Sequence, residues 1–318
     1  MKRARGVVNV AAFLSLGACA SAHVTQREGF IGVEGGRVWY RVVGHGPRTP
    51  LLVLHGGPGV NSYYLKPLAA LADDRPVIFY DQLGGGKSDR PSDTTLYRLD
   101  RFVDEIARVR ETLGLREVHL YGHSWGATLA VEYMATHPAG VRSVILAGPA
   151  LSPSRSRRDR DSLLHTMPDS IYNVMVRHER DQTLDAPEYV TARRAFLERY
   201  HARRLPWSAD LDSAIRLNNP EIGRYIRSRR RDGNAIEASE KLREIRVPTL
   251  FTIGRYDYAT PATTAYYQSL VPGAELVILE QSAHLMMHDE PDHYNAVLRD
   301  FLRRVDAGEF NATRGSTR

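Results

Sequence analysis

The stretch Tyr121-Gly122-His123-Ser124-Trp125-Gly126-Ala127 decides the fold. Just before it, Glu117-Val118-His119-Leu120 is short and β-prone. Just after it, Ala127 to Ala135 carries apolar positions that suit a buried helix. A Gly-x-Ser-x-Gly run between a strand and a helix holds its serine on a sharp, strained turn with the hydroxyl exposed. The residues beside such a turn must be small so that strand and helix can close together; Gly122, Gly126 and Ala127 meet that need. The helix N-terminus behind Ser124 offers unpaired backbone N–H groups, which favour a developing negative charge.

Working outward, the same alternation of strand and helix recurs. Phe30 to Val33 and Val38 to Val43 flank Glu34-Gly35-Gly36-Arg37 and read as a hairpin. Pro50 to Leu54 and Pro76 to Tyr80 are continuous apolar runs of strand length, as expected of central strands covered on both faces. Helix patterns follow at Tyr64 to Leu71 and Leu99 to Leu113, and Val141 to Gly148 is a further strand. Strands alternating with helices imply a mostly parallel sheet clad on both faces. The rhythm stops at Pro149. From 150 to 246 the chain is charged and helix-prone, with pieces at Leu163 to Met167, Ile171 to Arg177, Val190 to Arg204 and Leu211 to Leu217. This stretch reads as a helical cap inserted into the sheet domain. Strand Val247 to Ile253, a helix near Thr263 to Leu270, strand Glu275 to Leu279 and a helix near His293 to Arg304 complete the pattern. The expected organisation is therefore an α/β core over 28–149 and 247–305, a cap over 150–246 and a polar tail over 306–318.

A serine hydroxyl needs a base within hydrogen-bond reach and a third group to orient that base. In open parallel sheets such groups sit at the carboxyl ends of strands. Asp257 follows one late strand in Gly254-Arg255-Tyr256-Asp257, and His284 follows the next in Ser282-Ala283-His284. The order Ser124, Asp257, His284 is the one a hydrolase elbow requires. An oxyanion needs two N–H donors. Trp125 supplies one, and Gly57, in the glycine-rich loop His55-Gly56-Gly57-Pro58-Gly59, supplies the other. No metal ligand set or cofactor is expected: His284 and His288 lack a supporting carboxylate motif, and His55 reads as a loop-packing residue. Gly84-Gly85-Gly86-Lys87-Ser88 is not a phosphate loop, because Asp89-Arg90-Pro91 breaks any following helix.

Composition narrows the partners. With 42% hydrophobic and 25% charged residues, global disorder is excluded. The net charge of +6 gathers in runs such as Ser156 to Arg160 and Ser228 to Asp232, without interleaved aromatics or a recognition helix, so nucleic acid is not an expected partner. The first 22 residues read as an export signal: Met1 to Arg5 is basic, and Gly6 to Ala18 is apolar apart from Asn9 and Ser15. Cys19, the single cysteine, ends Leu16-Gly17-Ala18-Cys19, a run similar to the bacterial lipobox, and is expected to be lipidated; cleavage at Ala20-Ser21-Ala22 is the alternative. Both place the protein outside the cytoplasm, in the periplasm or anchored to a membrane.

Taken together, His55-Gly56-Gly57-Pro58-Gly59, Asp81-Gln82 with Gly84, Gly86 and Ser88, the Gly122 to Gly126 elbow, Gly254-x-x-Asp257 with Thr260-Pro261, and Ser282-Ala283-His284 resemble the proline iminopeptidase family of α/β-hydrolases. The resemblance runs from about Phe30 to Arg303 and is weakest across the cap. It implies an α/β-hydrolase fold and release of an N-terminal residue, often proline, from short peptides or amides. It also implies that the free amine of the substrate is read by glutamates, one in the cap and one just after the catalytic aspartate. Asn218-Asn219-Pro220-Glu221 resembles the cap motif, which assigns Glu221 to substrate binding. The second position departs: Tyr258 follows Asp257 where the family has glutamate. An esterase, lactonase or amidase with the same Ser-His-Asp set is the alternative activity. Oligomeric state is not legible.

Overall fold

Residues 26–231 and 236–310 are described by a computed structural model. Their organising element is one eight-stranded sheet with the order β1-β2-β4-β3-β5-β6-β7-β8. The strands are β1 (Gln26–Val33), β2 (Gly36–Val43), β3 (Leu51–Leu54), β4 (Val77–Tyr80), β5 (Val118–His123), β6 (Val141–Ala147), β7 (Thr249–Gly254) and β8 (Glu275–Leu279). β1 and β2 pair antiparallel, and so do β2 and β4; every pair from β4 to β8 is parallel. The apolar runs explain the order. β3, β4, β5 and β7 are buried at every residue, whereas β1 and β8, at the edges, are largely half-buried or exposed. The sheet is the α/β-hydrolase architecture that the alternation of strands and helices predicts.

Helices cover both faces. α1 (Leu99–Thr112) and α2 (Trp125–Thr136) form one apolar layer with residues such as Leu52, Leu120 and Leu146. α10 (Pro291–Asp306) and the 3-10 helix Ser62–Asp73 form the other, with Val53, Phe79 and Ile145. A buried Leu or Phe of this kind stabilises the fold by about 1.5–3 kcal/mol. α2 is buried on every side because it lies between the sheet and the cap segment Ala238–Glu244, to which Glu132 is tied through Lys241. α8 (Pro261–Ser269) and the single turn α9 (Met286–Asp289) complete the core.

Among the described residues the regular elements of the inserted segment are all helices: α3 (Pro153–Leu164), α4 (Asp169–Asp181), α5 (Pro187–Tyr200), α6 (Ala209–Arg216), α7 (Pro220–Arg231) and the 3-10 turn Ala238–Glu244. Two differences from the sequence reading have physical causes. The helix expected over Leu163 to Met167 lies earlier. Ser152 caps it by accepting from Arg155 N–H, and Pro153 starts it. Of its own residues only Leu164 is buried, so no apolar periodicity marks it. α7, for which the sequence reading has no helix, begins at Pro220 and buries Ile222 and Ile226 against the core, while Arg224, Arg227 and Arg229 stay exposed as its basic run suggests. Among the described residues no helix is long and apolar enough to cross a membrane. The export signal with Cys19, and the end of the tail from 311, lie outside the described residues.

Candidate active site

Ser124 stands between β5 and α2 at φ 56°, ψ −115°, a conformation that costs a non-glycine residue about 1–3 kcal/mol. Close packing enforces it. A Cβ at Gly122 would lie 2.4 Å from Gly126 O, and one at Gly126 would lie 2.1 Å from Leu54 O. Both glycines of the elbow are therefore places where two backbones meet. Ser124 N–H donates to Ala147 O at 2.9 Å, which fastens the turn to the end of β6.

His284 follows β8 and Asp257 follows β7. His284 Nδ1 lies 2.9 Å from both Asp257 carboxylate oxygens, and both residues are buried. A carboxylate only accepts, so Nδ1 carries the proton and Nε2 keeps the lone pair of a base. Asp257 Oδ1 also accepts from Ala259 N–H at 2.7 Å, which holds its carboxylate toward the ring. The pair meets the elbow at the end of β6. A Cβ at Gly148 would lie 2.9 Å from His284 Nδ1 and 3.0 Å from Asp257 Oδ2. Ala147, its neighbour, is the residue that receives Ser124 N–H. The structure thus joins Asp257 to His284 directly and packs that pair against Gly148, the residue next to the one that holds the Ser124 turn.

The glycine-rich loop after β3 closes the other side. A Cβ at Gly56 would lie 3.0 Å from Ser124 Cβ, so the loop backbone approaches the serine as only glycine allows. Gly56 N–H is used internally, donating to Tyr64 Oη at 2.6 Å. Gly57 follows in the same bend at φ 129°, and Trp125 opens α2 directly after the serine. Gln82 braces the pair. Its N–H donates to His55 Nε2 at 3.0 Å, its Nε2 donates to His55 O at 2.8 Å, and its Oε1 accepts from Trp125 Nε1 at 3.2 Å. His55 is thereby a neutral packing residue whose Nδ1–H donates to Gly56 O. Burial lowers its pKa.

Glu221 and Tyr258 occupy different settings. Asn219 N–H donates to Gly59 O at 2.7 Å, and Asn219 Nδ2 donates to Gly84 O at 3.0 Å. These bonds pin the start of α7 to the oxyanion loop. Glu221 N–H in turn bonds Asn219 Oδ1, and the Glu221 side chain is exposed at that junction. The Tyr258 ring lies 4.3 Å from the His284 ring and stacks on cap residue His201 at 5.8 Å. It also packs on the cap's own cluster of Leu164, Met175, Phe196 and Tyr200. His288 is structural: its Nε2 donates to Tyr64 O at 2.6 Å. Tyr64, which receives Gly56 N–H, carries no signal in the sequence beyond its position a few residues past the glycine loop.

Residues 49–291 match the family model for the alpha/beta hydrolase fold. A proline iminopeptidase of Heyndrickxia coagulans is 44% identical over 287 residues, covering 87% of this chain and 99% of that protein. Among solved structures, VinJ superposes with a TM-score of 0.80 at 29% identity, covering 88% of this chain and 99% of that one. The proline iminopeptidase of Mycobacterium smegmatis superposes equally, at 0.80, with 26% identity over 89% of this chain and 100% of that one. With a serine elbow closed by two glycines, a buried histidine–aspartate pair following the last two strands, and this degree of identity along nearly its whole length, the chain belongs to the proline iminopeptidase family of α/β-hydrolases.

Proposed function

We propose that the chain is a serine aminopeptidase that releases an N-terminal residue, proline foremost, from short peptides or amides. The observation that carries the reading is the buried Asp257–His284 pair, whose Nδ1 is held by the carboxylate at the same end of the sheet as the strained Ser124 turn. His284 Nε2 takes the Ser124 proton as Oγ attacks the scissile carbonyl. Gly57 and Trp125 N–H groups receive the oxyanion. Protonated His284, stabilised by Asp257, then gives its proton to the leaving amine, and water repeats the sequence on the acyl-enzyme. Glu221 receives the ammonium of the substrate. Because Tyr258 replaces the family's second carboxylate, the amine site holds one charge-assisted contact fewer, worth about 1.5–3 kcal/mol. That difference favours relaxed preference over strict prolyl specificity. It is also what keeps an esterase, lactonase or amidase as the second reading. A panel of amino-acyl arylamides run beside p-nitrophenyl esters tests the choice: prolyl arylamide should rank among the best substrates, and activity confined to esters would replace the peptidase reading.

The same proposal extends to location. Cys19 carries a lipid anchor that holds the enzyme at an exported, membrane-bound position, with a small peptide or ester as its soluble partner. Cys19→Ser should move the protein from the membrane fraction to the soluble one; a wild-type protein that is already soluble and begins at Ser21 or His23 would contradict it.

A further inference from the structure

His123, inside the elbow, and Tyr64, in the 3-10 helix beyond the glycine loop, do nothing in the chemistry above, yet both are buried at its centre. Their bonds form a chain whose directions can be read from atom types alone. Gly56 N–H donates to Tyr64 Oη at 2.6 Å. His123 Nε2 lies 3.0 Å from His284 O; a carbonyl only accepts, so Nε2 carries the proton. In the neutral ring His123 Nδ1 is then an acceptor, and Tyr64 O–H donates to it at 2.9 Å. Burial supports this protonation pattern: it pushes the Tyr64 phenol up and holds the His123 imidazole well below its ordinary pKa, with His284 adding to the effect.

The chain runs oxyanion loop, tyrosine, elbow, base loop. It leaves from the amide next to Gly57, passes through the residue next to Ser124, and ends on the carbonyl of His284 itself. Ring contacts follow the same line: Tyr64 to His123 at 5.4 Å edge-on, and His123 to His284 at 4.6 Å. Every member has one partner per donor and acceptor used, which is the condition under which a buried polar network fixes geometry. A catalytic group that shifts by an ångström can lose about a hundredfold in rate.

We propose that Tyr64 and His123 are positioning residues, a neutral hydrogen-bonded relay that sets the spacing between nucleophile, base and oxyanion amides. The proposal rests on Ser124 and His284 being nucleophile and base, and it holds for ester and amide substrates alike. Tyr64→Phe removes one hydroxyl and strands both Gly56 N–H and His123 Nδ1. It should lower kcat at least about tenfold with KM changed less than threefold, on prolyl arylamide and on p-nitrophenyl acetate equally. His123→Gln keeps an N–H donor for His284 O and an oxygen acceptor for Tyr64, and should retain several-fold more kcat than His123→Leu, which keeps neither. Far-UV circular dichroism and melting temperature of each variant identify folded protein, and only folded variants are compared. Labelling with a fluorophosphonate probe, present in wild type and lost in Ser124→Ala, tests the underlying serine reading separately. Folded Tyr64→Phe with kcat within twofold of wild type, or equal losses in the Gln and Leu variants at position 123, would overturn the relay.

Discussion

The loops on the carboxyl edge of the sheet are bonded to one another through buried side chains, whereas the cap is tied together largely by half-exposed ion pairs. On the edge, Gln82, His55, Tyr64 and His123 join elements far apart in sequence, and all are buried. In the cap, Arg160 pairs with Glu179, Arg177 with Glu188 and Arg194 with Glu198, around one small apolar cluster. Exposed pairs contribute about 0–1 kcal/mol each. The difference teaches where this chain places its buried polar bonds: the loops that react are cross-linked by them, whereas cap helices α3 to α5 are joined by half-exposed pairs around an apolar cluster of their own.

The largest effects should follow from breaking the cross-linked side. Ser124→Ala and Asp257→Asn should each lower kcat by about 10³-fold or more while the fold persists. Steady-state kinetics with circular dichroism reads this, and an Asp257→Asn enzyme of near-normal activity would remove Asp257 from its role. Gly148→Val inserts a side chain where 2.9–3.0 Å is available to the His284–Asp257 pair, at φ 50°. It should reduce kcat by about a hundredfold with a smaller change in KM. A similar loss in KM alone would mean that the pair is not displaced.

The cap side should respond more weakly and more selectively. Glu221→Gln should lower kcat/KM for amino-acyl arylamides by about ten- to a hundredfold, the scale of one charged hydrogen bond, and leave a neutral p-nitrophenyl ester nearly unchanged. Equal losses on both substrates would make Glu221 structural. Stability gives the smallest contrast. Burial holds His119, in β5 and bonded to Asp306, down to about 4, and holds His123 and His201 well below the ordinary histidine range. Groups depressed on folding contribute stability that is complete above their unfolded value near pH 6.5 and is lost as pH falls through the folded one. The urea midpoint should therefore drop between pH 7.5 and pH 4; a midpoint that rises over that range would contradict the buried neutral assignment.

The same contrast governs what the sequence makes legible. Ser124, Asp257 and His284 each sit one turn past an apolar run, so local pattern alone locates them at one edge of the sheet. The glycine loop is legible as a place where backbone must come close, and Gly56 is the residue that meets Ser124 there. The braces are not, because their meaning lies in partners remote along the chain: Tyr64 meets His123 across 59 positions, and His123 meets the His284 carbonyl across 161. Cap helix α3, Pro-Ser-Arg-Ser-Arg-Arg-Asp-Arg-Asp-Ser-Leu-Leu, gives no periodic signal because it buries almost nothing of its own. Its start is written only in Ser152-Pro153. Tyr258 is visible as a departure from the family pattern, but its stacking between His201 and His284 depends on how the cap closes over the base loop.

The comparison between a fixed catalytic edge and a selective cap turns on whether a free amine is needed. The measurement that tests this most directly is kcat/KM for prolyl arylamide against its N-acetylated form. An aminopeptidase that seats an ammonium at Glu221 should favour the free amine by about a hundredfold or more, since acetylation removes both the charge and the donor. Equal turnover of the two would show that the site reads no amine, and the chain would then be a serine hydrolase of another specificity.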